Sequence, residues 1–399
     1  MIKYMKRQEK CDGVYVKMRI VHTADWHLGK IVHNTYMTED QEHVLQQFLE
    51  ELREIKPDVM ILAGDLYDRA IPPKEAVELL NRMLTTIVYD MDIPILAITG
   101  NHDSAERMDF GTQLLRKNRL FIQTKLNPDL EPVIVQDEYG PVYFHLVPYM
   151  EPAEVRKILQ KEDITSHQEA MAEIVRQIQS KYDLENERHV FVGHAFLAGG
   201  MDSESEERLT MIGGTPYVEA ELFKPFTYTA LGHLHQPQKV KYDHIRYSGS
   251  IFKYSFSEAN HKKSFTILDL DEEGINTLEQ NPYRMKRDLI RIEGYLNELL
   301  DTEEVCEDYC HITLLDDGEI MDPIGKLRKW YPNILKLERK ITGTQNLHEL
   351  KRVKERQQMS HIELFSSFYE NMKGEPLPEN RKKIMENIVQ KVVEEERGR

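Results

Sequence analysis

Residues 18–30 read MRIVHTADWHLGK, a short and mostly apolar run that ends in an aspartate and a histidine two positions apart. Over Arg19–Ala24 the run predicts a strand buried on both faces, because such strands are apolar throughout and do not alternate. Helical spacing follows over residues 38–56 at Val44, Leu45, Phe48, Leu49, Leu52 and Ile55, and Pro57 ends it by withholding an N–H. The pattern then repeats. Asp58–Ala63 (DVMILA) is a second buried strand, Pro72 and Pro73 open a helix to about Tyr89, and Pro94–Thr99 (PILAIT) is a third strand. This alternation predicts an α/β fold, a layered sheet with helices outside it. Further strands are expected at Val142–Val147, His189–Val192, Thr227–Leu231 and Phe265–Leu270.

The rhythm changes after about residue 283. Leu289–Ile292, Ile312–Leu315 and Ile334–Leu337 read as strands, with helical pieces at Tyr295–Leu300 and Ile324–Trp330 between them. That βαβαβ piece, residues 284–343, has the size of a small α+β domain. Residues 344–399 are charged and helical, split by Gly374, Pro376 and Pro378. With 399 residues, two or three domains are expected, here an extension (1–17), a main domain (18–283), the small domain and the helices. The chain has no apolar run of about 18 residues and no secretory h-region, so no membrane span is expected. Three cysteines cannot build a disulfide framework, which fits a reducing cytoplasm. A net charge of −16 argues against coating nucleic acid by bulk attraction. No phosphate-binding G-x-x-x-x-G-K-[ST] loop is present, so ATP binding by that route is not expected.

Chemistry-bearing residues fall in five places, each just after an expected strand: Asp25-Trp26-His27, Gly64-Asp65-Leu66-Tyr67-Asp68, Gly100-Asn101-His102-Asp103, Gly193-His194 and Gly232-His233-Leu234-His235. Ligand sites of open α/β sheets lie outside the carboxyl ends of strands, so five ends in one sheet can converge on one cleft. Carboxylate, imidazole and amide oxygen without thiolate suit manganese, iron or zinc. Two such ions a few ångströms apart need a shared ligand, and Asp65 is the choice for that bridge. Asp25, His27 and His235 would complete one metal; Asn101, His194 and His233 the other. His102 is assigned to general acid and transition-state contact.

A lone D-x-H or G-H carries no weight, because a histidine after a strand is usually a satisfied structural residue. The five together, in order, are hard to reach by chance. Blander readings are kept elsewhere. Asp68 is expected to hold a ligand or cap a helix, and Asp103 to orient His102 or cap the segment that follows. Cys306, Cys310 and His311 lack a second metal-binding pair nearby and read as ordinary thiols. His22 reads as a core histidine and His33 as a solvated loop residue. Val77, Leu80, Leu84, Ile87 and Val88 read first as a core-facing stripe, and as a subunit interface if the stripe is wider than the core needs.

At these five segments the chain resembles the calcineurin-like metallophosphoesterase superfamily, and HTADWHLGK, AGDLYDRA and TGNHDSAER look like its SbcD branch of double-strand-break-repair nucleases. The resemblance runs from Met18 to the C-terminus. It implies metal ligands at Asp25, His27, Asp65, Asn101, His194, His233 and His235, with His102 as the catalytic histidine. It further implies manganese-dependent cleavage of DNA, as an exonuclease on duplex ends and an endonuclease on single strands or hairpins. A homodimer and an ATP-driven, SMC-like SbcC partner follow from the same resemblance. The small domain would cap DNA, and the terminal helices, among them His361–Phe365 and Phe368-Tyr369, would dock on the partner's coiled coil. Where Asp68 stands, archaeal relatives carry a histidine, so that substrate contact does not transfer. The first seventeen residues precede the usual start of the family, which makes Met18 a second candidate initiator. Two rivals remain: a small-molecule phosphodiesterase or protein phosphatase of the same superfamily, and a non-catalytic subunit that binds DNA ends.

Overall fold

Two β-sheets, where the sequence predicts one, carry the five strand ends. The computed structural model describes residues 4–6, 17–206, 217–317 and 320–340, with single positions between 365 and 385. In the main body the strands are β1 (Met18–Thr23), β2 (Val59–Ala63), β3 (Ile95–Ile98), β4 (Leu120–Gln123), β5 (Val133–Asp137), β6 (Gly140–Val147), β7 (Arg188–His194), β8 (Tyr228–Gly232), β9 (Gln238–Val240), β10 (Tyr242–Tyr247), β11 (Ser264–Asp271) and β12 (Gly274–Pro282). The first sheet runs β12-β11-β1-β2-β3-β4, with β1 to β4 parallel and β11 antiparallel to β1. The second runs from a strand at Tyr4–Lys6 through β5-β6-β7-β8-β10-β9, with β6, β7, β8 and β10 parallel.

The two sheets pack face to face. Ile20, Ile61 and Leu96 of the first share one core with Phe144, Val190 and Ala230 of the second. Helices α1 (Thr38–Ile55) and α2 (Lys74–Thr85) supply Val44, Phe48, Leu79 and Met83 to a core with Val21 and Met60 on the outer face of the first sheet. A helix at His167–Lys181 buries Ile174 and Ile178 with Phe191 of the second. The layers are therefore helix, sheet, sheet, helix. An all-apolar strand reports that both its faces are covered, and it is silent on whether a helix or another sheet covers them. That ambiguity produced the single-sheet expectation.

The expected helix to Tyr89 ends its α-helical part at Thr85 and closes through a wider π turn, Thr86–Asp90. Strands β13 (Leu289–Gly294), β14 (Tyr309–Leu314) and β15 (Ile334–Arg339) form a third sheet in that order. Contacts divide the described residues into two units. The first runs up to Ile292 and adds Thr302–Ile312 and Ile324–Leu337; the second holds Glu293–Asp301, Thr313–Pro323 and the described residues from Glu338 onward. The helices expected over 344–399 lie, apart from single positions, outside the described residues. Among the described residues no helix is long and apolar enough to cross a membrane.

Candidate metal centre

Strand ends from both sheets meet at the site. Asp25 and His27 follow β1, Asp65 follows β2 and Asn101 follows β3, while His194 closes β7 and His233 and His235 follow β8. The turns are sharp enough to need rare backbone. Asp25 (φ 52°), His27 (φ 43°) and Asp65 (φ 50°) are left-handed, and His233 has φ 105°. Each such residue costs roughly 1–3 kcal/mol, which the surrounding structure must override. Glycine enters where backbones touch: a methyl on Gly232 would collide with the Ala63 carbonyl, and one on Gly100 with the Asp65 carboxylate.

All seven expected ligands come together. Asp65 Oδ2 lies 3.5 Å from His27 Nε2 and 3.3 Å from His194 Nε2. On one side His27 Nε2 faces His235 Nε2 at 3.0 Å. On the other, Asn101 Oδ1 lies 3.1 Å from His194 Nε2 and 3.2 Å from His233 Nδ1. Ligand atoms of Asp25, Asp65 and His194 lie within 4.8 Å of one another, and so do those of His27, Asp65 and His102. Asp65 belongs to both groups, as a bridging carboxylate must. His102, expected only beside the ligands, stands within reach of one group.

The pocket is built for cations. Asp25 Oδ2 and His233 Nε2 are buried without a hydrogen-bond partner. A buried, uncompensated carboxylate is strongly unfavourable, so these donors fit divalent metal ions. Burial pushes Asp25 up to about 7, His233 down to about 3 and His27 well below the ordinary histidine value. For His194 burial acts downward, and the Asp65 and Asp25 carboxylates override it to about 9. For Asp65 burial acts upward, and His194 and His27 hold its carboxyl well below the usual range.

Supporting residues aim the ligands. His194 donates from Nδ1 to the Ala63 carbonyl at 2.9 Å, which leaves Nε2 for a metal. His102 donates from Nδ1 to the Asp68 carbonyl at 2.8 Å, and its backbone N–H donates to Asp65 Oδ1 at 3.0 Å. Asp68 pairs with Lys30 Nζ at 2.7 Å, and it lies 3.7 Å from His27 Nδ1, beyond hydrogen-bond reach. Asp103 does neither thing expected of it. Its carboxylate accepts from the N–H groups of Leu66, Tyr67 and Gly100 and ties two loops together, while Ser104 caps the next helix. Gln41, buried on α1, donates to the carbonyls of Trp26 and His27 and accepts from the N–H of Gly29, so it shapes the first loop. His22 is a core residue 2.9 Å from the Tyr228 hydroxyl, and His33 is exposed. Cys306 and Cys310 are free thiols with sulfurs 4.0 Å apart.

The sequence reading missed Gln41, Ser205, Glu258 and Lys263, the last three lying behind His235. No local signal marked that group, because Lys263 ends the polar run Asn260-His261-Lys262-Lys263 ahead of β11.

Known proteins resemble this chain along nearly all of its length. The family model described as calcineurin-like phosphoesterase matches residues 18–237, and that described as type 5 capsule protein repressor C-terminal domain matches 285–373. A Staphylococcus epidermidis protein, named as the SbcD subunit of the SbcCD nuclease, is 34% identical over 95% of this chain and 100% of its own length. One of the same name from Staphylococcus saprophyticus is 36% identical over 95% of this chain and 99% of its own. Among solved structures, a Thermus thermophilus protein (12% identity) and a dimetal phosphatase of Danio rerio (11% identity) each reach a TM-score of 0.39, covering 67% of this chain and 100% of theirs. At that score neither bears on function. With two sheets closing on one ligand pocket and relatives aligned from end to end, the chain belongs to the calcineurin-like phosphoesterases and, within them, to the SbcD family of nuclease subunits.

Proposed function

We propose that the chain is a two-metal DNA nuclease that works in DNA repair and recombination with an SbcC-type ATPase. It would act as an exonuclease on duplex ends and an endonuclease on single strands and hairpins. The observation that carries the catalytic part is Asp65, shared between two groups of ligand atoms beside a buried Asp25 oxygen that lacks a partner. Two manganese ions, when bound there, supply water activation at neutral pH and charge stabilisation on the phosphoryl oxygens. One position would be held by Asp25, His27, Asp65 and His235, the other by Asp65, Asn101, His194 and His233.

The protein's own part is orientation and proton handling. His194 and His235 each have Nδ1 engaged, so Nε2 points into the pocket. His102, half-buried and fixed at Nδ1 by the Asp68 carbonyl, would protonate the leaving oxygen. Residues 18–283 would form the nuclease domain, 284–343 the DNA-capping domain and 344–399 the partner-binding helices. A homodimer would use the apolar groove where Ile71 (67% exposed), Val77 (43%) and Phe110 (90%) surround the buried Leu80 and Leu84.

The test is manganese-dependent cleavage of a DNA hairpin and a duplex end, set against hydrolysis of a nucleotide diester and a phosphopeptide. Turnover of the small substrates alone would overturn the nuclease reading. Recovery of the ATPase in a pull-down should fall when residues 344–399 are removed, and equal recovery would sink the partner assignment.

A further inference from the structure

Behind His235 lies a relay that none of the five segments contains. His235 Nδ1 donates to Ser205 Oγ at 2.7 Å, and Ser205 in turn donates to Glu258 Oε1. Glu258 Oε1 itself lies 3.4 Å from His235 Nδ1. The other oxygen of Glu258 accepts from Lys263 Nζ. Lys263 is fully buried and also donates to the His235 carbonyl at 2.7 Å and to Ser250 Oγ at 2.8 Å. The backbone N–H of His235 is bound too, donating to Glu206 Oε1 at 2.8 Å. Ring, carbonyl and amide of one ligand are thus each held.

Resting on the two-metal reading, we propose that Glu258, held in place by Lys263, is the positioning residue that fixes the tautomer of His235 and so sets the affinity of one metal position. A ligand histidine must present a lone pair, and a carboxylate at its far nitrogen keeps the proton there and makes the ring a better donor. Glu258 is buried, so it can do this only with a matching cation, and Lys263 is that cation. The other position is supported differently, with His194 leaning on a main-chain carbonyl. The relay should therefore act on one site of the pair and leave its neighbour alone.

Manganese binding to the full chain, by calorimetric titration and electron paramagnetic resonance, tests this. Glu258→Gln should weaken one of two sites by roughly 10–100-fold and leave the other unchanged. At manganese concentrations that saturate the wild type, the spectrum should change from a coupled pair to an isolated ion. Two unchanged affinities, or equal weakening of both sites, would overturn the proposal. Fewer than two ions on the wild-type chain would sink the dinuclear reading instead. If Glu258→Gln does not fold, Ser205→Ala carries the test, since Ser205 sits half-buried in a loop. It should weaken the same site several-fold, and wild-type affinity at that site would overturn the assignment.

Discussion

The imidazole of His102 is fixed at Nδ1 by a main-chain carbonyl 2.8 Å away, which orients its second nitrogen. His102→Ala should keep both metals and lose cleavage by about 10²–10⁴-fold, the usual size of a general-acid contribution. Single-turnover cleavage alongside metal titration checks it, and unaltered cleavage would remove His102 from the mechanism. His22 illustrates a different burden. Burial lowers its pKa to about 3, against about 6.5 in an unfolded chain. Above 6.5 neither state takes a proton there. As pH falls below that value the unfolded state protonates first, so stability drops by about 1.4 kcal/mol per pH unit until about pH 3. Urea midpoints from pH 7 to 4.5 should fall less steeply in His22→Gln, by one proton's worth of slope. The seven candidate ligands were legible as residues because carboxylates, imidazoles and an amide after apolar strands are rare as a set. Asp103 was not, since a carboxylate that accepts from three main-chain N–H groups on two loops leaves no local spacing to read.

At the scale of elements, the site depends on how closely strand ends approach. The end of β8 passes so near β2 that a Cβ on Gly232 would strike the Ala63 carbonyl. Gly232→Ala should therefore displace His233 and His235 together and lower manganese affinity by at least an order of magnitude, with far-ultraviolet dichroism little altered. Normal affinity would show that the strands can part at little cost. Phe110, 90% exposed at the groove beside α2, belongs to the same scale. Phe110→Glu should convert a dimer into a monomer by light scattering while hydrolysis of a small diester persists. Strands β2 and β3 were readable from sequence because each is a continuous apolar run, and β1 because Met18, Ile20 and Val21 give it an apolar start. Strand β12 was not, since Gly274–Pro282 (GINTLEQNP) is a largely exposed edge whose polar residues resemble a loop. The π turn was equally hidden, because a one-residue change of pitch does not disturb the apolar stripe before it.

For the whole molecule, metal and fold are linked. The carboxylates of Asp25 and Asp65 are buried among ligands drawn from two sheets, so cations that bind the folded chain alone must stabilise it. Each site at 100 times its dissociation constant adds about 2.7 kcal/mol. Chelation should lower the melting temperature and manganese should restore it; a melting curve indifferent to both would argue against a resident metal pair. The net charge of −16 acts at this scale as well, leaving the metals, a second copy and a partner as the proposed means of holding DNA.

The span between ligands has a consequence for how the protein is made. His27 and His235 meet across 208 residues of chain, and Asp25 receives the N–H of His233 across the same distance. A ribosome adding about 5–20 residues per second needs about 10–40 s to travel from the first ligand to the last. Throughout that interval the growing chain holds only part of its ligand set. On the two-metal reading, nuclease activity would be withheld from every unfinished copy until both sheets have been synthesised and docked.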